Sequence, residues 1–108
     1  KIQEMWQKDS VIDPDNLHDE SLKIPQLHSK YYTLYNTITL LREKAREQYN
    51  KVRLERHKDA DDRLTKVDMK IRYYDATLKF LEEIIRTVNN RTYQIKNAIE
   101  WNRFQAGM

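Results

Sequence analysis

Apolar residues recur at alternating steps of three and four through most of this chain. From residue 64 onward the run Leu64, Val67, Ile71, Tyr74, Leu78, Leu81, Ile85, Val88, Thr92, Ile95, Ile99 keeps that step almost without a fault. The period predicts one long helix carrying an apolar seam. A helix from Leu64 to Phe104 would be about 60 Å long at roughly 1.5 Å per residue, longer than a small core covers, so the seam needs an equally long partner. Upstream, Leu17, Ile24, Leu27, Tyr31, Leu34, Ile38, Leu41, Ala45, Gln48 and Val52 repeat the heptad and supply that partner.

The breaks between these runs set the expected elements. Residues 1–12 form an arm, with a short amphipathic helix that puts Ile2, Met5 and Trp6 on one side. Asp13-Pro14 predicts a helix start, because an aspartate accepts orphan N–H bonds as N-cap and a proline at the first helical position loses nothing. The first long helix is expected over 13–57, kinked near Pro25, with a connection over 58–63 and a second long helix over 64–105. Lys58-Asp59-Ala60-Asp61-Asp62 is the only polar interruption between the heptad runs, so the chain reverses there. The expected fold is all-α: a long antiparallel helical hairpin in a single domain.

A second apolar line, Met69, Tyr73, Ala76, Phe80 and Ile84, widens the apolar face beyond what one partner covers. Trp101 and Phe104 add large apolar area near the end. These features predict a homo-oligomeric helical bundle or ring held through Ile71, Tyr74, Leu78, Leu81, Ile85, Val88, Ile95, Ile99, Trp101 and Phe104. A monomeric three-helix bundle closed by residues 1–9 is the plainer alternative; otherwise the arm serves a neighbouring subunit or another partner.

Composition fits solvated helices around a narrow seam, with 34% charged and 39% hydrophobic residues among 108. One Gly, two Pro and no Cys leave little for phosphate-cradling loops, and exclude disulfides and cysteine-bound metal. No apolar run approaches the roughly 18 residues of a membrane span and no basic-then-apolar leader is present, so a soluble intracellular protein is the expectation.

The net charge of +3 conceals alternation: residues 1–29 carry −3, 30–58 carry +5, 59–85 carry −2 and 86–108 carry +3. The basic middle segment is the candidate polyanion surface. Within it, Arg42, Arg46, Tyr49, Arg53 and Arg56 are spaced 4, 3, 4 and 3, one strip beside the apolar seam. Arg42 and Arg53 have no acidic residue three or four positions away, whereas Glu43 reaches Arg46, Asp59 reaches Arg56 and Glu47 reaches Lys51. Guanidinium forks match phosphates and an interleaved tyrosine can stack on an unpaired base. A merely solvated basic face is the reading it must beat.

Other chemistry fails on spacing. His18, His28 and His57 show no metal-ligand pattern. The segments at Asp13 and Asp59 lack the glycine and distal glutamate of a calcium loop. Glu82 and Glu83 point about 100° apart on a helix and make no acid/base pair. No nucleotide-binding glycine motif or catalytic triad can be assembled. No metal, no cofactor and no enzymatic activity are expected.

Both ends of the chain carry a likeness. Ile2-Gln3-Glu4, Ile12-Asp13, Leu17 and Ser29-Lys30, then Lys66-Val67-Asp68, Tyr73, Leu78, Phe80, Arg91, Ile95-Lys96 and Phe104-Gln105-Ala106-Gly107 resemble, in order and spacing, the UvsY recombination mediators of myophages. The resemblance implies a non-enzymatic mediator that binds single-stranded DNA. It further implies contact with the phage single-strand-binding protein and help in loading a RecA-like phage recombinase of the UvsX type. A ring of copies, a heptamer in particular, is implied as well, working in the cytoplasm of the infected bacterial host. Lys51-Val52-Arg53-Leu54 matches the form of the family's Lys-x-Arg-Leu DNA-binding stretch, while an ungapped alignment places Arg56 on its arginine. The hairpin connection is shorter here than is usual in that family. The competing class is a structural or adaptor coiled-coil protein that binds protein partners and no DNA.

Overall fold

The structure is a computed structural model and describes residues 1–55 and 60–107. Three helices follow in order, α1 (Ile2–Asp9), α2 (Leu17–Leu54) and α3 (Ala60–Ala106), with no strand among the described residues. The long helices α2 and α3 pack against each other as the expected hairpin. Its contacts fall into two compact units.

α2 begins at Leu17, four residues later than Asp13-Pro14 predicts. The reason is local. The Asp13 carboxylate accepts the Asp15 N–H at 2.9 Å and the Asn16 Nδ2 at 2.8 Å, and the Asn16 N–H returns to the Asp13 carbonyl at 3.2 Å. With Pro14 setting the second position, this is a tight turn stabilised by an aspartate side chain. Asn16 then takes the N-cap place, and its carbonyl accepts the Glu20 N–H at 2.9 Å. The helix continues through Pro25, which deprives the Ser21 carbonyl of its i+4 donor without ending α2. α3 begins at Ala60, inside the expected connection, with Asp61 and Asp62 in its first turn, where acidic groups favour the helix dipole. Positions 58 and 59 of that connection lie outside the described residues.

The first unit comprises residues 1–32 with 83–107. In it Ile84, Val88, Arg91 and Ile95 are buried at steps of 4, 3 and 4 along α3, and Tyr31 of α2 is fully buried. α1 closes over this seam: the Trp6 ring meets the Tyr31 ring edge-on at 5.4 Å, and Ile2 and Met5 are half-buried beside it. The arm therefore docks on its own chain, as in the plainer of the two expectations.

The second unit comprises residues 33–82. Ala45 and Val52 of α2 are buried with Val67, Leu78 and Leu81 of α3; Leu34, Ile38, Ile71 and Tyr74 are half-buried. Cross-helix bonds fix the antiparallel register. The Arg42 Nη1 meets the Asp75 carboxylate at 3.3 Å, and seven residues away on each helix the Tyr35 hydroxyl donates to Glu82 at 3.2 Å. On the opposite edge the Arg63 Nη1 donates to Glu55 at 2.7 Å.

Candidate nucleic-acid interface

The second unit has two long edges, and their electrostatics differ. On the first stands the arginine strip. A helix turns about 100° per residue, so Arg42, Arg46, Tyr49 and Arg53 share a flank of α2. The register puts an acidic column of α3 along it, with Glu82 at Tyr35, Asp75 at Arg42 and Asp68 at the level of Tyr49. Arg42 is consequently an ion-pair centre: it reaches Asp75 at 3.3 Å and Glu43 at 3.6 Å, its side chain is only 24% exposed, and its Nε is buried without a partner. Arg46 pairs with the same Glu43 at 3.1 Å, as the spacing predicts, and Asp68 is held by Arg72 at 3.0 Å. Tyr49 is half-buried, Arg53 is exposed, and Arg56 lies outside the described residues, as does the expected Asp59–Arg56 pair.

Lys51 is not part of this strip. Nine residues from Arg42, it stands about 180° away around α2, on the second edge. There Lys44, Gln48 and Lys51 of α2 step by 4 and 3 beside Arg63, Lys66, Lys70 and Tyr73 of α3. Counting back from the Glu55–Arg63 contact by helical turns sets Lys51 at the level of Lys66, Gln48 at Lys70 and Lys44 at Tyr73. Lysines of the two helices thus line the same edge at matching levels. All four lysines are exposed, and among the described residues none of the four enters an ion pair. Glu47 and Asp62, one turn from Lys51 and Lys66, do not close on them. The Tyr73 side chain, 67% exposed, completes the α3 row of 66, 70 and 73.

In the first unit a polar centre is buried that periodicity alone does not reveal. Arg91 is 4% exposed; its Nη1 donates to the Asp9 carbonyl at 3.0 Å and its Nη2 to the Ser10 carbonyl. These are the last carbonyls of α1, at the negative end of its dipole. Ser10 could not find a donor by extending the helix, because its i+4 residue is Pro14. The guanidinium also lies over the Trp6 ring at 5.2 Å. Burial pulls the Arg91 pKa down from its ordinary value, while the Glu20 and Asp9 carboxylates push the other way. Burial would also raise Asp9, but hydrogen bonds from Lys30 and Tyr31, each 2.7 Å from its Oδ2, outweigh it and hold the carboxyl below its ordinary value. Tyr31, buried and facing that carboxylate, is pushed upward. A signal for Arg91 existed: it is a charged residue on the 4-3-4 line of Ile84, Val88 and Ile95.

The residues expected to join subunits divide. Leu78, Leu81, Val88 and Ile95 are buried within the chain, Ile71, Tyr74, Ile85 and Ile99 are half-buried, and Trp101 and Phe104, stacked at 5.9 Å, are each 59% exposed. Among the described residues no group of His, Cys, Asp and Glu could hold a metal ion; His57 lies outside them. No described helix is long and apolar enough to cross a membrane.

A helical hairpin with an exposed row of unpaired cations along one edge has the form of a polyanion-binding protein. The chain matches the family model described as "Recombination, repair and ssDNA binding protein UvsY" over residues 5–58 and 58–108. It belongs to the UvsY family. No curated protein and no solved structure matches it significantly.

Proposed function

We propose that this chain binds single-stranded DNA and acts as a recombination mediator. The observation that carries the reading is the family match, which spans nearly the whole chain and whose description names recombination, repair and single-strand binding. The exposed cations of the second unit support it, with Lys51 and Arg53 of the Lys-x-Arg-Leu stretch outside any ion pair among the described residues. Copies assemble through the apolar surface left outside the chain's own core, Trp101 and Phe104 included, into a closed ring of seven. Many weak phosphate contacts around that ring act together and hold one strand by avidity. Such contacts position without reading bases, so no sequence preference follows. The held strand is handed to a RecA-like recombinase of the UvsX type at sites covered by the single-strand-binding protein, in the cytoplasm of the infected host.

Fluorescence anisotropy of labelled oligo-dT, titrated with protein at several salt concentrations, tests this. Binding with a steep inverse dependence on salt is expected, each phosphate contact contributing about 0.7 to the log–log slope on a single strand. Absence of binding at low salt would sink the reading and leave the adaptor class.

A further inference from the structure

Within the DNA-binding reading, on which this inference rests, the two edges of residues 33–82 cannot contribute equally. We propose that the strand lies along the lysine edge, with Lys44 and Lys51 of α2 and Lys66 and Lys70 of α3 contacting phosphates and Tyr73 stacking on a base.

The argument is one of compensation. A cation already paired must give up that partner to bind a phosphate, and the exchange returns little. Arg42 would leave Asp75 and Glu43, and Arg46 would leave Glu43. An approaching strand would also meet Asp68, Asp75 and Glu82, which recur every seven residues on that edge and repel phosphates. The lysine edge presents the reverse. Lys51 and Lys66 share that edge at the same level of the hairpin, and like charges gathered along one edge raise the local potential that a polyanion relieves. The edge's one ion pair among the described residues, Arg63–Glu55 at 2.7 Å, sits at the far end of the row.

The spacing also suits a single strand. Lys66 and Lys70 lie one turn apart, about 6 Å along the helix, close to the distance between successive phosphates of an extended chain. Tyr73 follows one turn further along the same row, with its ring 67% exposed and tilted against Tyr74 at 5.9 Å, which braces one side and leaves the rest open. Cations tracking the backbone, with an aromatic face beside them, are the two parts sequence-independent single-strand binders combine.

Three variants of the full chain test the assignment by oligo-dT anisotropy, with light scattering for mass and circular dichroism for helicity. Lys66→Gln/Lys70→Gln replaces exposed helix positions by another good helix former. For each engaged protomer it should flatten the salt slope by about 1.4 and weaken binding roughly 25-fold at about 0.1 M salt, the counterion-release contribution of two contacts. Arg42→Gln/Arg46→Gln should leave affinity within about threefold. Tyr73→Ala should weaken binding by about 5- to 100-fold with the salt slope unchanged, since stacking releases no counterions. Photocrosslinking of a strand carrying 5-iododeoxyuridine should label Tyr73. Equal losses from the two double variants, or a larger loss from the arginine one, would overturn the assignment. A fall in mass with Tyr73→Ala would place that ring in a subunit contact and remove it from the track. If the unaltered chain binds no oligo-dT, the DNA reading itself fails, an outcome separate from binding that is indifferent to Lys66 and Lys70.

Discussion

Replacing Arg91 by alanine should release the N-terminal arm. The guanidinium is almost fully buried and donates to two successive carbonyls of α1 while lying over Trp6. Hydrogen bonds from a charged donor contribute about 1.5–3 kcal/mol each, and a desolvated cation–π contact about 1–2 kcal/mol. These overlap, and breaking a buried charge arrangement by removing one member costs about 3–5 kcal/mol. The measured loss has a ceiling, because once α1 has undocked the missing contacts cost nothing further. Local release should therefore precede global unfolding. In a Trp101→Phe background, where Trp6 is the sole tryptophan, its emission should shift to that of a solvated indole at denaturant concentrations where far-ultraviolet dichroism still reports an intact hairpin. Arg91→Lys keeps the charge but not the fork that spans both carbonyls, and should lose about half as much. The reasoning is refuted if Arg91→Ala leaves both the Trp6 emission and the unfolding midpoint within about 1 kcal/mol of the parent protein.

Acid should act on the same arm. Asp9 has a folded value below its ordinary 3.8, so its contribution is fully present above that value and is lost as pH falls through the folded one; Trp6 emission should stay flat from pH 7 to about 4 and change below, and release beginning above about pH 5 would contradict this. Asp75→Asn leaves Arg42 without its cross-helix partner; stability should move by no more than about 1 kcal/mol for a partly exposed pair, while oligo-dT affinity should rise and its salt slope steepen, and unchanged binding would speak against compensation as the cause of the edges' difference. Trp101→Ser/Phe104→Ser removes exposed apolar area outside the chain's own seam, so the assembly mass by light scattering should fall with helicity retained; an unaltered mass would dismiss these two rings as subunit contacts.

The heptad runs carried the architecture. A 3-4 repeat on both sides of one polar interruption has few solutions other than a hairpin, and the buried positions Tyr31, Ala45, Val52, Val67, Leu78, Leu81, Val88 and Ile95 all lie on the lines read from the sequence. What periodicity could not supply was competition between equally good local signals. Asp13-Pro14 has the chemistry of a helix start, but Asn16 has it too, and the choice falls to Asn16 because Asp13 spends its carboxylate on the turn. Arg42 reads as uncompensated when only acids three or four positions away are counted; the adjacent Glu43 falls outside that rule, and Asp75, 33 residues away, enters only when the register is known. Lys51 enters through the resemblance of Lys51-Val52-Arg53-Leu54 to the Lys-x-Arg-Leu stretch, but its direction on the helix sets it on the edge of Lys66 rather than on that of Arg53. A repeat read through Thr92 hides Arg91, because there the buried seam runs one residue earlier.

The clasp between Arg91 and the end of α1 also orders events in time. Its partners are separated by 82 and 81 residues, so a chain leaving the ribosome carries the α1 arm unfastened until residue 91 has emerged. In a chain that stops before residue 91, Trp6 and the carbonyls of Asp9 and Ser10 stay open to water, and the arrival of Arg91 on α3 covers them. The arm is thus fastened by a contact that no nascent chain short of residue 91 can make.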